Sequence, residues 1–139
     1  MASPAFEDWL AICNLKAAYC RLLDTKDWAA WRELFIADVH VDTTGSGGTV
    51  TDDLETYASA TAQSLEHAKT AHQVHSPEIE IDGDEARATW AMQDRVVWDG
   101  RSLTGYGHYR ETYVRTADGW KIASLVLTRL HMDMDGFGG

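Results

Sequence analysis

Three Asp-Gly pairs, Asp82-Gly83, Asp99-Gly100 and Asp118-Gly119, constrain this chain more than any other feature. Each separates two segments in which apolar and polar residues alternate, the signature of a tight hairpin whose turn needs positive φ. Ile79 and Ile81 alternate up to the first pair, and Ala86, Ala88, Trp90, Met92, Val96 and Trp98 share one face up to the second. A segment from Leu103 to Arg115 follows, and a last one starts at Trp120 and reaches about His131. The two-residue period from about residue 70 onward predicts a long antiparallel meander. The glycine-rich stretch 132–139 reads as a loose tail, or as a flap that closes over a pocket.

Upstream the period is helical. Phe6, Leu10, Cys13, Ala17 and Cys20 recur at three- and four-residue steps, with Trp9, Ile12 and Leu23 beside them, which predicts a helix over 5–23. A second short helix is expected over 27–36 with Asp27 as its N-cap, then a short strand through Val39 and Val41. Gly45-Ser46-Gly47-Gly48 is a loop without the Lys-Ser/Thr of a phosphate cradle. Thr51-Asp52-Asp53 opens a third helix to about Glu66. Helices first and a meander after make an α+β domain, one domain over 1–139.

Composition excludes whole classes. The formal charge of −10 and the scattered arginines argue against nucleic acid, which demands clustered Lys and Arg. No apolar run approaches the ~18 residues of a membrane helix, and Met1-Ala2-Ser3-Pro4 lacks the flank of a signal peptide. A cytoplasmic location is expected. Cys13 and Cys20 lie about 10 Å apart along one helix, too far for a disulfide, and read as small buried hydrophobes.

The informative residues are polar groups on apolar faces. Asp24 continues the seam of the first helix, so it either ends that helix and caps the next or serves a site, because an unpaired buried carboxylate is costly. Tyr19 sits at the edge of the same arc. Asp94 interrupts the apolar face of Trp90, Met92, Val96 and Trp98; it is a site residue, a buried partner of a neighbouring arginine, or half of a helix-side salt bridge. His72 and His75 fall on opposite faces of a strand and cannot share one metal ion. With no Cys/His cluster, HExxH, Gly-x-Ser-x-Gly or dinucleotide fingerprint present, no metal and no cofactor are expected. An imidazole with an orienting carboxylate is the most economical catalytic pair available.

The run Asn14-Leu15-Lys16-Ala17-Ala18-Tyr19-Cys20-Arg21-Leu22-Leu23-Asp24, then Asp27-Trp28 with Leu34-Phe35, carries a resemblance. His72 leading into Ile79 to Ala86, and Gly107-His108-Tyr109 through Asp118-Gly119-Trp120-Lys121-Ile122, complete it. In order and spacing the chain resembles the SnoaL-like family of the nuclear transport factor 2-like superfamily, over nearly its whole length. The resemblance implies a strongly curved antiparallel sheet wrapped around the N-terminal helices, a cystatin-like cone with a deep apolar pocket. Within that superfamily the chain looks most like scytalone dehydratase, bile acid 7α-dehydratase and hexachlorocyclohexane dehydrochlorinase. Those enzymes pair an aspartate after the first helix with a histidine at the start of the sheet, the positions of Asp24 and His72. Tyr19, five before Asp24, matches the tyrosine of the dehydratases. Asp94 and Arg129 fall near polar pocket positions of relatives, and Trp90, Met92 and Trp98 are expected in the apolar wall.

The implied activity is a cofactor-independent lyase, a dehydratase of a small cyclic or polycyclic hydroxylated substrate. An isomerase or polyketide cyclase with the same pocket, or a non-catalytic small-molecule-binding domain, stands as the alternative. A homotrimer or homodimer is expected from relatives, and from large residues assigned to both faces of the later strands: Trp98, Tyr106, Tyr109, Tyr113 and Leu125.

Overall fold

The computed structural model describes residues 4–138. The elements run α1 (Pro4–Asp24), α2 (Trp28–Arg32), β1 (Phe35–Asp42), β2 (Val50–Thr51) and α3 (Leu54–Leu65). The four long strands β3 (Lys69–Asp82), β4 (Glu85–Trp98), β5 (Arg101–Thr116) and β6 (Gly119–Asp135) follow. The sheet order is β2-β1-β6-β5-β4-β3. Neighbours are antiparallel except β1 and β6, which run parallel.

The three Asp-Gly pairs sit at the three hairpins, where Gly83, Gly100 and Gly119 take φ of 62°, 78° and 100°. Register shifts bend the ladders between His75 and Glu78, between Tyr106 and Gly107, and between Thr112 and Tyr113. Such bulges increase local twist and curve a sheet. The concave face takes alternate residues: Trp90, Met92, Asp94 and Val96 on β4, Tyr109, Glu111 and Tyr113 on β5, Leu125 and Leu127 on β6 are buried. α1 packs into this concavity.

Several expectations need correction. The buried face of α1 is Ile12, Leu15, Lys16, Tyr19, Cys20, Leu22 and Leu23, whereas Phe6, Trp9 and Leu10 are exposed. The helix is rotated from the arc drawn through Phe6, Leu10 and Ala17, because burial is set by where the sheet curls over it. α2 stops at Arg32, and Phe35 and Ile36 belong to β1. Phe35 is paired with Ile122 of β6, a contact that local helical periodicity cannot anticipate. Of the five large residues assigned to two faces, Trp98, Tyr109, Tyr113 and Leu125 all turn inward, and Tyr106 alone is exposed. The stretch read as a tail continues β6 through Asp135, with Met134 opposite Leu103. Phe137 then meets Trp98 edge-on at 5.5 Å. Met1 to Ser3 and Gly139 lie outside the described residues.

The helix caps follow the sequence. Asp27 Oδ1 accepts from the Ala30 N–H at 3.3 Å, and Asp53 Oδ1 from that of Thr56 at 2.7 Å. Cys13 and Cys20 are free. Among the described residues no helix is long and apolar enough to cross a membrane.

Candidate active site

α1 delivers Tyr19 and Asp24, one face of β3 delivers His72, and the inner parity of β4 delivers Asp94. His72 and Asp94 are direct partners across the β3–β4 ladder. Arg129 reaches the same place from β6. The Asp24 carboxylate takes three hydrogen bonds: Oδ1 from His72 Nδ1 at 2.7 Å and from Thr70 Oγ1 at 2.8 Å, and Oδ2 from the His72 backbone N–H at 2.9 Å. Burial raises the Asp24 pKa, but the His72 side-chain and backbone bonds, the His72 charge and the Thr70 hydroxyl overcome it and hold the group below its ordinary 3.8. Asp24 is therefore an ionised acceptor, and Nδ1 of His72 is the nitrogen that carries the proton.

The His72 side chain is 7% exposed, and its Nε2 lies 3.9 Å from Asp94 Oδ2, beyond hydrogen-bond length. Asp94 is occupied elsewhere. Arg129 grips it through two parallel bonds, Nη1 to Oδ1 at 2.8 Å and Nη2 to Oδ2 at 3.0 Å. Arg129 Nε donates to Ser46 Oγ at 3.1 Å, and Nη1 also touches Met92 Sδ at 3.5 Å. The alternative read for Asp94, a buried partner of an arginine, thus coexists with a place in the cavity wall.

These residues line an open cavity of about 340 Å³ whose walls include Tyr19, Tyr57, His72, Asp94, Trp98, Tyr109 and Arg129. That volume lies in the ordinary range for small-molecule pockets. Tyr19 and Tyr57 place their hydroxyls 3.3 Å apart. Burial drives Tyr19 well above the usual phenol range, with the Tyr109 and Tyr57 phenols adding to it, and burial takes Tyr57 to about 12. Both are donors, not bases, at neutral pH. Trp90 and Met92, expected in the apolar wall, are not among the residues that line this cavity, although Met92 Sδ lies against the lining residue Arg129. Trp90 Nε1 donates to Tyr113 OH at 2.9 Å, in the core. Trp98 does line the cavity and bonds the Ser64 carbonyl at 2.9 Å.

Behind Tyr19 and Tyr109 lies a group that the sequence reading passed over. Lys16 is fully buried, with Nζ 3.6 Å from the Tyr19 ring centroid and 3.5 Å from that of Tyr109. It donates to Glu111 Oε2 at 2.6 Å, and both side chains are 0% exposed. Tyr113 OH donates to Glu111 Oε1 at 2.6 Å. Burial lowers the Lys16 pKa and the Glu111 charge opposes that. The signal for Glu111 was present: it shares inward parity with Tyr109 and Tyr113, as Asp94 does with Met92 and Val96.

Gly105 was also missed. It faces Asp94 across the β4–β5 ladder, and a Cβ there would overlap Arg129 Nη1 and come within 2.6 Å of Asp94 Oδ1. Its bare backbone makes the room in which the two side chains meet. Among the described residues no group of three or more His, Cys, Asp or Glu is arranged to hold a metal ion.

The chain is similar to the probable cyclase FGR4 of Gibberella zeae, 28% identical over 130 residues that cover 84% of this chain and 87% of the relative. An NTF2-like protein with a cystatin-like fold from Novosphingobium aromaticivorans superposes with a TM-score of 0.78 at 23% identity, covering 91% of this chain and 84% of that one. A type 2 hexachlorocyclohexane dehydrochlorinase superposes with a TM-score of 0.83 at 15% identity, covering 94% and 90%. At those identities the two structures speak to the fold. The model of the SnoaL-like domain matches residues 4–126, a span that holds Tyr19, Asp24, His72 and Asp94 and stops short of Arg129. This chain belongs to the SnoaL-like domain family.

Proposed function

We propose that this protein is a cofactor-independent enzyme that converts a small hydroxylated ring compound, by loss of water, with His72 as the base. The observation that carries this reading is the sequestered imidazole, tied through Nδ1 to an ionised Asp24 and left with the Nε2 lone pair at the cavity. Nε2 takes a proton from a carbon next to a carbonyl or conjugated system. The C–H electrons form the new double bond, the neighbouring C–O bond breaks, and the hydroxide leaves as water with the proton returned by the imidazolium. Asp24 fixes the tautomer and stabilises the imidazolium. Tyr19 donates to the developing oxyanion or the departing hydroxyl. Arg129 commits four of its five N–H groups to Ser46, Asp94 and Met92, which leaves one on Nη2 for a substrate oxygen. Trp98 and Tyr109 supply flat apolar surface for a ring.

A second reading keeps the same base but closes a ring or moves a double bond. The similarity to a probable cyclase favours it. Turnover followed by mass spectrometry separates the two: loss of one water from a preformed hydroxylated ring ketone marks dehydration, whereas conversion of an open-chain polyketide mimic to a ring, or a product of unchanged mass, marks cyclisation or isomerisation. Binding of such compounds with no turnover, or turnover that survives His72→Ala, defeats the enzymatic reading.

A further inference from the structure

α1 closes with an unusual residue in its key position. The Asp27 N–H donates to the Leu22 carbonyl at 3.0 Å and the Lys26 N–H to the Leu23 carbonyl at 3.2 Å, the paired bonds of a Schellman closure. Lys26, the residue after the cap, takes φ 63°. Glycine is the usual occupant there, because a Cβ is strained in the left-handed region. A lysine in that position calls for a side-chain reason.

The side chain folds back over the helix end. Lys26 Nζ donates to Thr70 Oγ1 at 2.8 Å, and Thr70 Oγ1 meets Asp24 Oδ1 at 2.8 Å. The roles are forced. An ammonium only donates, so the Thr70 oxygen accepts from Lys26 and its single hydrogen goes to Asp24. The same Asp24 oxygen receives His72 Nδ1. Donors therefore converge on Asp24 from both sides, and the ammonium stands one hydroxyl away from the carboxylate.

We propose that Lys26, acting through the Thr70 hydroxyl, is a positioning residue for the Asp24–His72 pair: it sets the direction of the hydrogen-bond chain and keeps Asp24 an ionised acceptor aimed at Nδ1. Its catalytic consequence rests on the reading of His72 as the base. Among the described residues, the charged and titratable groups that interact with Asp24 include Cys20 on α1, Lys26 in the turn and His72 on β3. Beyond His72 stands the Asp94–Arg129 pair from β4 and β6. Arg129 is paired with Asp94, whereas Lys26 makes no direct ion pair among the described residues and reaches Asp24 through the Thr70 hydroxyl. Burial lowers the Lys26 ammonium and the Asp24 charge opposes that shift.

The test is the titration of the Asp24 carboxyl carbon by NMR, which needs no substrate. Lys26→Gln keeps an N–H donor and removes the charge, and the Asp24 midpoint should rise by about 0.5 pH units. Lys26→Arg should return it to the wild-type position. Lys26→Gly relieves the backbone strain, so Tm should hold or rise while the Asp24 midpoint still moves up. A lysine that serves only the fold would not move stability and titration apart in this way. An Asp24 midpoint unmoved in both Lys26→Gln and Lys26→Gly overturns the proposal. The two claims fail separately, since retained turnover in His72→Ala overturns the base assignment and leaves the Asp24 titration untouched.

Discussion

Asp24 holds His72 twice, by the ring Nδ1 at 2.7 Å and by the backbone N–H at 2.9 Å, from a helix end 48 positions upstream. With Thr70 the carboxylate faces three donors and must present acceptors to all of them. Asp24→Asn replaces one acceptor with an NH2 donor, so a ring that keeps its place must offer an unprotonated Nδ1. The proton then moves to Nε2 and blocks the base. Turnover should fall by roughly 10⁴-fold, the cost of a wrong imidazole tautomer in a comparable triad, and nitrogen NMR of His72 should show the proton moved. An unchanged tautomer with unchanged turnover would contradict the assignment.

Acid stability should carry the mark of the same contacts. The folded pKa of Asp24 lies below its ordinary 3.8, so its contribution is complete above that value and is lost as pH falls through the folded one. The gap in Tm between wild type and Asp24→Asn should be constant near neutrality and shrink below pH 3.8. Asp8 is lowered too, chiefly by its bonds to Arg115 and Trp120, so the comparison must be with the variant and not with the slope of wild type alone.

The Lys16–Glu111 pair should behave as a unit. Removing one partner strands a fully buried charge, and Lys16→Met should cost about 3–5 kcal/mol in denaturant unfolding. The double variant Lys16→Met with Glu111→Gln should recover much of that loss, because no buried charge remains. Strict additivity of the two single changes would show that the pair is not coupled.

Gly105 and Gly107 are both glycines of β5, yet substitution should hurt them differently. A Cβ at Gly107 would overlap the Thr128 carbonyl, and backbone cannot step aside. Gly107→Ala should therefore cost about 1–3 kcal/mol of stability. At Gly105 the obstacles are the ends of Arg129 and Asp94, which can shift at the expense of their pairing. Gly105→Ala should change stability less and reduce turnover roughly 10–100-fold, the effect of a displaced polar pair in a site. Equal loss of stability at both positions would argue against this division.

Metal independence follows from the base assignment, since a metal ion on Nε2 would take the lone pair that accepts the proton. Turnover should survive exhaustive chelation. Loss on chelation with recovery on adding one divalent ion would replace acid–base chemistry with metal-assisted chemistry at His72 and its neighbours.

The meander was legible in the sequence because its determinants are local. An Asp-Gly turn needs only its own φ, and a two-residue period records which parity is inward whatever the partner strand is. That parity also singled out Asp94 as a polar residue in a buried row, and the resemblance supplied Asp24 and His72 as a pair. Tertiary structure decided the rest. The apolar arc of α1 was ambiguous, since Phe6, Leu10 and Ala17 are as helical in spacing as Ile12, Tyr19 and Leu23; only the curl of the sheet selects the second set and buries Lys16 with it. Phe35 left its helix for a parallel ladder with Ile122, 87 positions away in a strand that local propensity cannot see. Trp90 and Met92 share the inner face with Asp94 but do not line the cavity, because position along a curved strand is not written in its alternation. The bidentate hold of Arg129 on Asp94, and the space Gly105 leaves for it, exist only where β4, β5 and β6 lie side by side.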